Sequence, residues 1–425
     1  MDCLQIVGGK RLRGSVQING AKNAALPIMA AAILCEGEVV LHNVPDLTDV
    51  RTMEHLLNQL GVSTSREGPH TLRLKVVDEM NCHADYELVR RMRASICTMG
   101  PLLAKRHEAR ISLPGGCAIG DRPINLHMAG LIALGADSEL TNGDVMLKAK
   151  RLMGNELFLG GAFGSTVTGT ANILMAATLA EGTTVIESAA CEPEVTDLAN
   201  FLNACGARIA GQGSPRIVVE GVKQLTGCEY TIIPDRIEAG TFIIAGAITN
   251  GDIRLRNCRL EHLLAFVDRL RAVGVNIERD GDEVLVSSAR RLEPTTITSQ
   301  PYPGFPTDLQ AQMMALLCLA DGNSIITEKI YPDRFMHVAE MSRLGAKLRK
   351  EGPTVMVEGV KRLVGAPVMA SDLRASAALV LAGLVAKGRT TVNRVYHIDR
   401  GYERIEQRLQ ALGADIERST RAEEI

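Results

Sequence analysis

Residues 113–123 read LPGGCAIGDRP, between a strand-like run, ARISL, and an amphipathic stretch, INLHMAGLIALGA. Gly115, Gly116 and Gly120 open backbone angles closed to other residues, so the segment is expected to swing as a lid carrying Cys117, with Arg122 at its hinge end placed to meet an anion. A thiol near its free pKa of about 8.5 is mostly protonated at neutral pH; it can give a proton or, once deprotonated, attack as a nucleophile. A second set of polar residues stands where apolar runs begin: Lys22 and Asn23, Arg93, Thr168 and Thr170, Asp235 and Arg236, Asp308, and Asp372 with Arg374. Asp308 and Asp372 can be plain helix N-caps, worth about 1 kcal/mol each. Lys22, Arg93 and Arg374 do not fit that account, because cations disfavour the positive end of a helix. They fit a site for small, multiply anionic ligands, to which helix N-termini add further N–H donors.

What positions these residues is a repeat. An apolar helix pattern, a Gly, a short β-branched run and a second amphipathic helix closing on LGA or a near variant recur along the chain. The marker glycines lie 24 residues apart for Gly37 with Gly61 and Gly182 with Gly206, 23 for Gly251 with Gly274 and Gly322 with Gly345, and 25 for Gly388 with Gly413. A sixth copy, degenerate at its first marker, runs from MGPLLAKRHEARISL to Gly135. Such a fixed period marks repeat architecture. Gly182 and Gly388 suit the left-handed position that ends a helix, TTVIES and TTVNRV suit strands, and Ile405, Leu409 and Leu412 share one helical face. With ARIAG and RIVVEG as a closing pair, each repeat reads βαβαββ. One repeat cannot bury both its faces, so the copies must pack together. The turn-like IIPDRIEAG lies midway, and its Pro234 suits a crossing between two lobes of three repeats whose helix starts line a cleft.

Composition excludes several classes. A chain of 425 residues with 46% hydrophobic and 23% charged residues is expected to be a soluble protein of more than one domain. A net charge of -2 and the absence of Trp argue against nucleic acid as a partner. The longest apolar stretches, AALPIMAAAILC and ASAALVLAGLVA, fall well short of the roughly 20 residues of a membrane crossing. The N-terminus has no signal-peptide pattern, so a cytoplasmic protein is expected. None of the ten cysteines forms a C-x-x-C pair, and Cys35, Cys97, Cys205 and Cys318 sit in apolar helix patterns, as reduced core thiols would. No metal or cofactor is expected.

The stretches INGAKNAALPIMAA, MRASI, LPGGCAIGDRP, ATLAEGTT, PDRIEAGTF, FPTDLQAQ, DRFMHVAEM, SDLRASAALVLAG and YHIDRGYERIE, spread in order from residue 18 to residue 406, strongly resemble the UDP-N-acetylglucosamine enolpyruvyl transferases (1-carboxyvinyltransferases). The resemblance implies two inside-out α/β barrel lobes, each of three βαβαββ repeats: residues 1–20 with 234–425 as one, and 21–233 as the other. It implies transfer of the enolpyruvyl group of phosphoenolpyruvate to the 3′-hydroxyl of UDP-N-acetylglucosamine with release of phosphate, the first committed step of peptidoglycan synthesis. By the same resemblance Cys117 is the proton donor and the thiol that forms an adduct with phosphoenolpyruvate or fosfomycin, and Asp308 is the base near the sugar hydroxyl. Lys22, Asn23, Arg122 and Arg400 match the groups on phosphoenolpyruvate. Arg93, Arg122, Pro123, Ile124, Asn125, Leu126, Asp308 and Ile330 match positions on the nucleotide sugar, and Arg334, Asp372 and Arg374 match supporting residues near the anions.

The match has departures. FGSTVTGTAN replaces the more usual SVGAT with its preceding Lys, so Thr166, Thr168 and Thr170 are expected to supply neutral donors near the diphosphate. Asn125 stands where Asp is common. The nearest alternative is the sister transferase acting on shikimate 3-phosphate, which shares the fold but lacks the Gly-Gly-Cys loop. A catalytically silent relative that binds nucleotide sugars is a further one, against which the joint presence of Lys22, Cys117, Asp308 and Arg400 speaks.

Overall fold

The computed structural model describes residues 2–112, 123–288 and 291–420. The glycine-rich loop with Cys117 and Arg122 therefore lies outside the described residues.

The third repeat shows the unit whole. Strand Glu156–Phe158 leads to helix Val167–Ala177, strand Thr183–Glu187, helix Pro193–Ala204 and the strands Arg208–Ala210 and Arg216–Glu220. The first strand runs parallel to the second, Leu157 opposite Ile186, and the second antiparallel to the last, Ile186 opposite Ile217. In Thr183–Glu187, Thr184 and Ile186 point inward while Thr183 faces water, the period-2 burial of a half-covered sheet. Its first helix is apolar on every side and buried from Gly169 onward, so it belongs inside the lobe with the sheet outside it. Six four-stranded sheets of this kind occur among the described residues.

The chain divides into two compact lobes, residues 2–19 with 234–420 and residues 20–233 apart from the loop. Each has its own hydrophobic core: one draws together Leu4, Phe242, Met314 and Leu379, the other Ile28, Leu102, Ile173 and Phe201. Burying each such side chain contributes about 1.5–3 kcal/mol. Strand Asp2–Val7 pairs with Arg389–Asn393 and Asp415–Thr420, and Arg13–Gln17 pairs with Asp252–Arg256. The chain thus completes two sheets of the C-terminal lobe before it builds the other. In turn, Glu229–Thr231 completes the first repeat's sheet against Glu38–His42.

The two glycines of each repeat do different work. Gly206 (φ +102°) and Gly413 (φ +95°) follow the caps Cys205 and Leu412 and end their helices in the left-handed conformation. Gly182 (φ +90°) was assigned to a helix end, but that helix stops at Ala177. Between them Glu181 bridges to Met153, and Gly182 turns the chain into the next strand; Gly388, after the Lys387–Val364 bridge, does the same. In the fourth repeat the left-handed residue is Asn250 (φ +49°), and Gly251 is required by close approach instead, since a Cβ there would lie 2.5 Å from the Leu12 carbonyl oxygen. The degenerate sixth marker is His107, a left-handed C-cap with φ +60°.

Cys35, Cys97, Cys205 and Cys318 are buried in the core as thiols. No helix among the described residues is long and apolar enough to cross a membrane.

A buried asparagine ties three elements of the N-terminal lobe. Asn172 donates to the Ile96 carbonyl (2.9 Å) and to His127 Nδ1 (2.9 Å) and accepts from Gly100 N–H (2.8 Å). Asn172→Ala strands these partners in the core, and chemical denaturation is expected to record a loss of about 3 kcal/mol.

Candidate functional site

In the N-terminal lobe Lys22 opens helix Lys22–Ala31 with 8% of its surface exposed. A cation at a buried helix start is costly, and Asp49, at 3.0 Å on the neighbouring helix Thr48–Gln59, offsets it. Asn23, in the same turn, is exposed. Arg93 opens a 3-10 turn, Arg93–Thr98, ahead of helix Met99–Arg106 and is half-buried.

Pro123 and Asn125 are exposed and Ile124 and Leu126 half-buried around the start of helix Asn125–Ala133. Leu126 lies against the Gly160–Ser165 hairpin, where a Cβ on Gly161 would come within 3.1 Å of its Cδ1. Next to it His127 Nε2 meets Thr168 Oγ1 at 3.1 Å. Since Asn172 donates to Nδ1, the imidazole carries its proton on Nε2 and donates to Thr168. The structure thus joins the segment at 123–126 to the threonine-rich one. Thr170 is fully buried and accepts from Ala190 N–H, which takes it out of the neutral donors expected at the diphosphate, while Thr166 caps its helix by accepting from Gly169 N–H. Thr166 and Thr168 are both half-buried and each accepts one bond, so each has a hydroxyl proton to donate.

The C-terminal lobe gathers residues distant in sequence. Asp308 lies in a 3-10 turn, Thr307–Leu309, so it does not cap the following helix Gln310–Leu317, whose N-cap is Leu309. Its carboxylate accepts from Arg334 NH1 at 2.7 Å through Oδ1 and from Arg374 Nε at 3.2 Å through Oδ2, with Arg374 NH2 at 3.1 Å. The Arg334 and Arg374 side chains are 9% and 3% exposed and that of Asp308 25%, so the carboxylate is the accessible member of the group. Burial opposes the charge of Arg374, and Asp308, Tyr402 and Asp235 together outweigh it, leaving its pKa raised. Arg334 is likewise raised, Asp308 and Asp372 outweighing the burial. Asp372 is an ordinary N-cap, accepting from Arg374 N–H (2.9 Å) and Ala375 N–H (3.1 Å).

Ile330 is held from behind. The fully buried Glu328 accepts from the backbone N–H of Ile330 (2.8 Å) and Tyr331 (3.1 Å), from Thr307 Oγ1 (2.9 Å) and from Ser299. Thr307 in turn accepts from Arg334 NH1 at 3.0 Å, so one carboxylate fixes both the Ile330 segment and the turn that carries Asp308. Arg400 ends the 3-10 segment Val395–Arg400, and after burial its charge helps lower the pKa of His397.

Asp49, His127, Asn172, Glu328 and Tyr402, whose hydroxyl accepts from Arg374 at 3.3 Å, are the residues of these clusters that sequence reasoning missed. The only signal for Tyr402 was its place two residues after Arg400; the rest are polar residues in elements read as packing. No group of three or more His, Cys, Asp or Glu among the described residues is arranged to hold a metal.

His337 lies beside the arginine cluster and is 1% exposed. Burial pushes its imidazole down to about 4, with the Asp372 carboxylate pulling upward and the Arg334 cation pressing further down. The folded value lies below the unfolded one of about 6.5, so on acidification the unfolded chain takes up the proton first. This stability is fully present above about pH 6.5 and is lost as pH falls through the folded value. His337→Gln is expected to flatten the decline in unfolding free energy between pH 6.5 and 4, by on the order of 1–3 kcal/mol, in denaturation at stepped pH.

Lobes of three βαβαββ repeats with polar helix starts define the enolpyruvyl transferase class. Among solved structures, the chain matches the enolpyruvyl transferase NikO of Streptomyces tendae with a TM-score of 0.90, 26% identity and 99% of each chain covered. It shares its fold with the EPSP synthase of Acinetobacter baumannii, at a TM-score of 0.76 and 18% identity over 99% of this chain and 100% of that one. The family model described as EPSP synthase (3-phosphoshikimate 1-carboxyvinyltransferase) matches residues 6–409. Curated relatives are closer: proteins named UDP-N-acetylglucosamine 1-carboxyvinyltransferase are 52% identical in Methylacidiphilum infernorum and 53% in Geotalea uraniireducens, each match covering 98% of this chain and 99% of the relative. The chain belongs to the UDP-N-acetylglucosamine 1-carboxyvinyltransferase family, a family of transferases.

Proposed function

We propose that the protein transfers the enolpyruvyl group of phosphoenolpyruvate to the 3′-hydroxyl of UDP-N-acetylglucosamine and releases phosphate. The observation that carries this reading is the identity of 51–53% over 98% of the chain to relatives that bear that acceptor in their name, rather than to those named for shikimate 3-phosphate.

The reaction is an addition followed by an elimination. A proton from the Cys117 thiol goes to C3 of phosphoenolpyruvate, which makes C2 electrophilic. The sugar oxygen attacks C2 while the Asp308 carboxylate takes the hydroxyl proton; return of a C3 proton to the Cys117 thiolate and departure of phosphate then restore the double bond. Lys22, Asn23, Arg122 and Arg400 hold the phosphate and carboxylate of phosphoenolpyruvate, where preorganised positive charge contributes several kcal/mol of transition-state stabilisation. Arg93, Arg122, Pro123, Ile124, Asn125, Leu126, Asp308 and Ile330 contact the nucleotide sugar, and Thr166 and Thr168 supply neutral donors to its diphosphate. The buried guanidiniums of Arg334 and Arg374 support this reading, because they fix the Asp308 carboxylate in place while leaving it open to a substrate. The protein works in the cytoplasm at the first committed step of peptidoglycan synthesis, without metal or cofactor, and fosfomycin alkylates Cys117.

The test is phosphate release from phosphoenolpyruvate with each acceptor. Turnover with UDP-N-acetylglucosamine and none with shikimate 3-phosphate is the expected result; the converse ends the reading.

A further inference from the structure

Tyr402 lies in the C-terminal lobe, two residues beyond Arg400, and is 1% exposed. Its hydroxyl meets one side chain from the first helix of each of that lobe's three repeats. These are Thr241 Oγ1 at 2.8 Å from Arg236–Ile248, Gln312 Nε2 at 3.3 Å from Gln310–Leu317, and Arg374 NH1 at 3.3 Å from Leu373–Gly383.

The directions of these bonds follow from proton counting. Thr241 gives its single hydroxyl proton to the Ile237 carbonyl at 2.9 Å, so between the two hydroxyls Tyr402 is the donor. Gln312 NH2 and the Arg374 guanidinium can only donate, so the phenol oxygen accepts from both, sharing one Gln312 proton with Thr241 Oγ1, also at 3.3 Å. Burial raises the Tyr402 pKa against the Arg374 charge, which keeps the phenol neutral and its proton in place. The guanidinium also lies over the Tyr402 ring, 5.6 Å from its centroid. Arg374 therefore has two occupied edges: NH1 on the phenol oxygen, Nε and NH2 on Asp308. Gln312 repeats the link through the backbone, donating to the Asp308 carbonyl at 2.9 Å.

We propose that Tyr402 is a positioning residue for the transfer reaction, its hydroxyl setting the angle at which Arg374 presents its guanidinium to the Asp308 carboxylate. The inference rests on the reading of Asp308 as the base. It assigns to the phenol oxygen an effect on the chemical step and none on substrate affinity, since nothing in its contacts is a substrate group.

The experiment compares Tyr402→Phe with the parent protein in kcat and in KM for phosphoenolpyruvate and UDP-N-acetylglucosamine, alone and in the Arg374→Lys background. Losing an acceptor on a charged donor is expected to lower kcat by roughly 10–100-fold while both KM values stay within about threefold. In the Arg374→Lys background, where the oriented guanidinium is gone, the same change is expected to cost less than about threefold. An unchanged kcat, or a loss that persists undiminished in that background, overturns the inference and leaves the assigned reaction standing. A parent protein that releases no phosphate overturns both, and is told apart by that control. Should Tyr402→Phe fail to fold, Thr241→Val, which removes the acceptor of the phenol proton and retains Tyr402 and Arg374, is measured in the same way. A lowered kcat at constant KM supports the inference, and a parental kcat overturns it.

Discussion

Asp308→Asn is expected to lower kcat by roughly 10²–10⁴, the worth of a positioned general base. The substitution keeps the shape of the side chain and its acceptor oxygen but removes the charge that Arg334 and Arg374 share. Two guanidiniums, 9% and 3% exposed at their side chains, then face a neutral amide whose NH2 group cannot accept from either. A stability loss accompanies the kinetic one. A quarter of the Asp308 side chain is exposed, so that loss is about 1–2 kcal/mol, below the 3–5 typical of breaking a fully buried pair. The two effects separate by measurement: steady-state phosphate release gives kcat, and a denaturant titration of the same preparation gives stability. A variant that stays folded and turns over within a few-fold of the parent removes Asp308 from the mechanism.

Cys117→Ala is expected to cost turnover on the same scale, roughly 10²–10⁴, because protonating C3 then falls to water. It has a second readout independent of rate. Fosfomycin adds covalently to a thiol, so intact-protein mass spectrometry is expected to record the adduct on the parent and none on Cys117→Ala. Cys117→Asp separates the roles further: a carboxylic acid can still deliver a proton but presents no sulfur, so turnover with resistance to fosfomycin is the expected outcome. Full activity of Cys117→Ala removes the thiol from the donor role, and loss of activity in both variants shows that the loop does not accept a carboxylate there.

The features legible in the sequence are those set by local rules. A left-handed turn selects Gly, so Gly206 and Gly413 marked helix ends that the structure reproduces. An inner helix is apolar all round, and the apolar runs that open the fourth and sixth repeats are buried over Ile237–Ile248 and Arg374–Gly383. Where the local rule has two solutions the reading slipped. Gly182 suits a helix end because glycine tolerates the left-handed conformation, but its φ of +90° serves the turn after the Glu181–Met153 bridge instead. His107 and Asn250 hold positive φ without being glycine and left no marker of their own.

The sequence by itself determined the repeat, the lobes' secondary structure, the buried thiols and the polar residues at the helix starts, since periodicity and turn chemistry act over a few residues. Only the tertiary structure decided what each charge is for. Asp308 and Asp372 occupy similar places before apolar helices, yet one caps its own backbone while the other takes two arginines from 26 and 66 residues away. Lys22 finds Asp49 on the next helix, and the Tyr402 hydroxyl gathers three helices. Such pairings depend on how packed helices align their ends, which long-range contact fixes and no local pattern encodes.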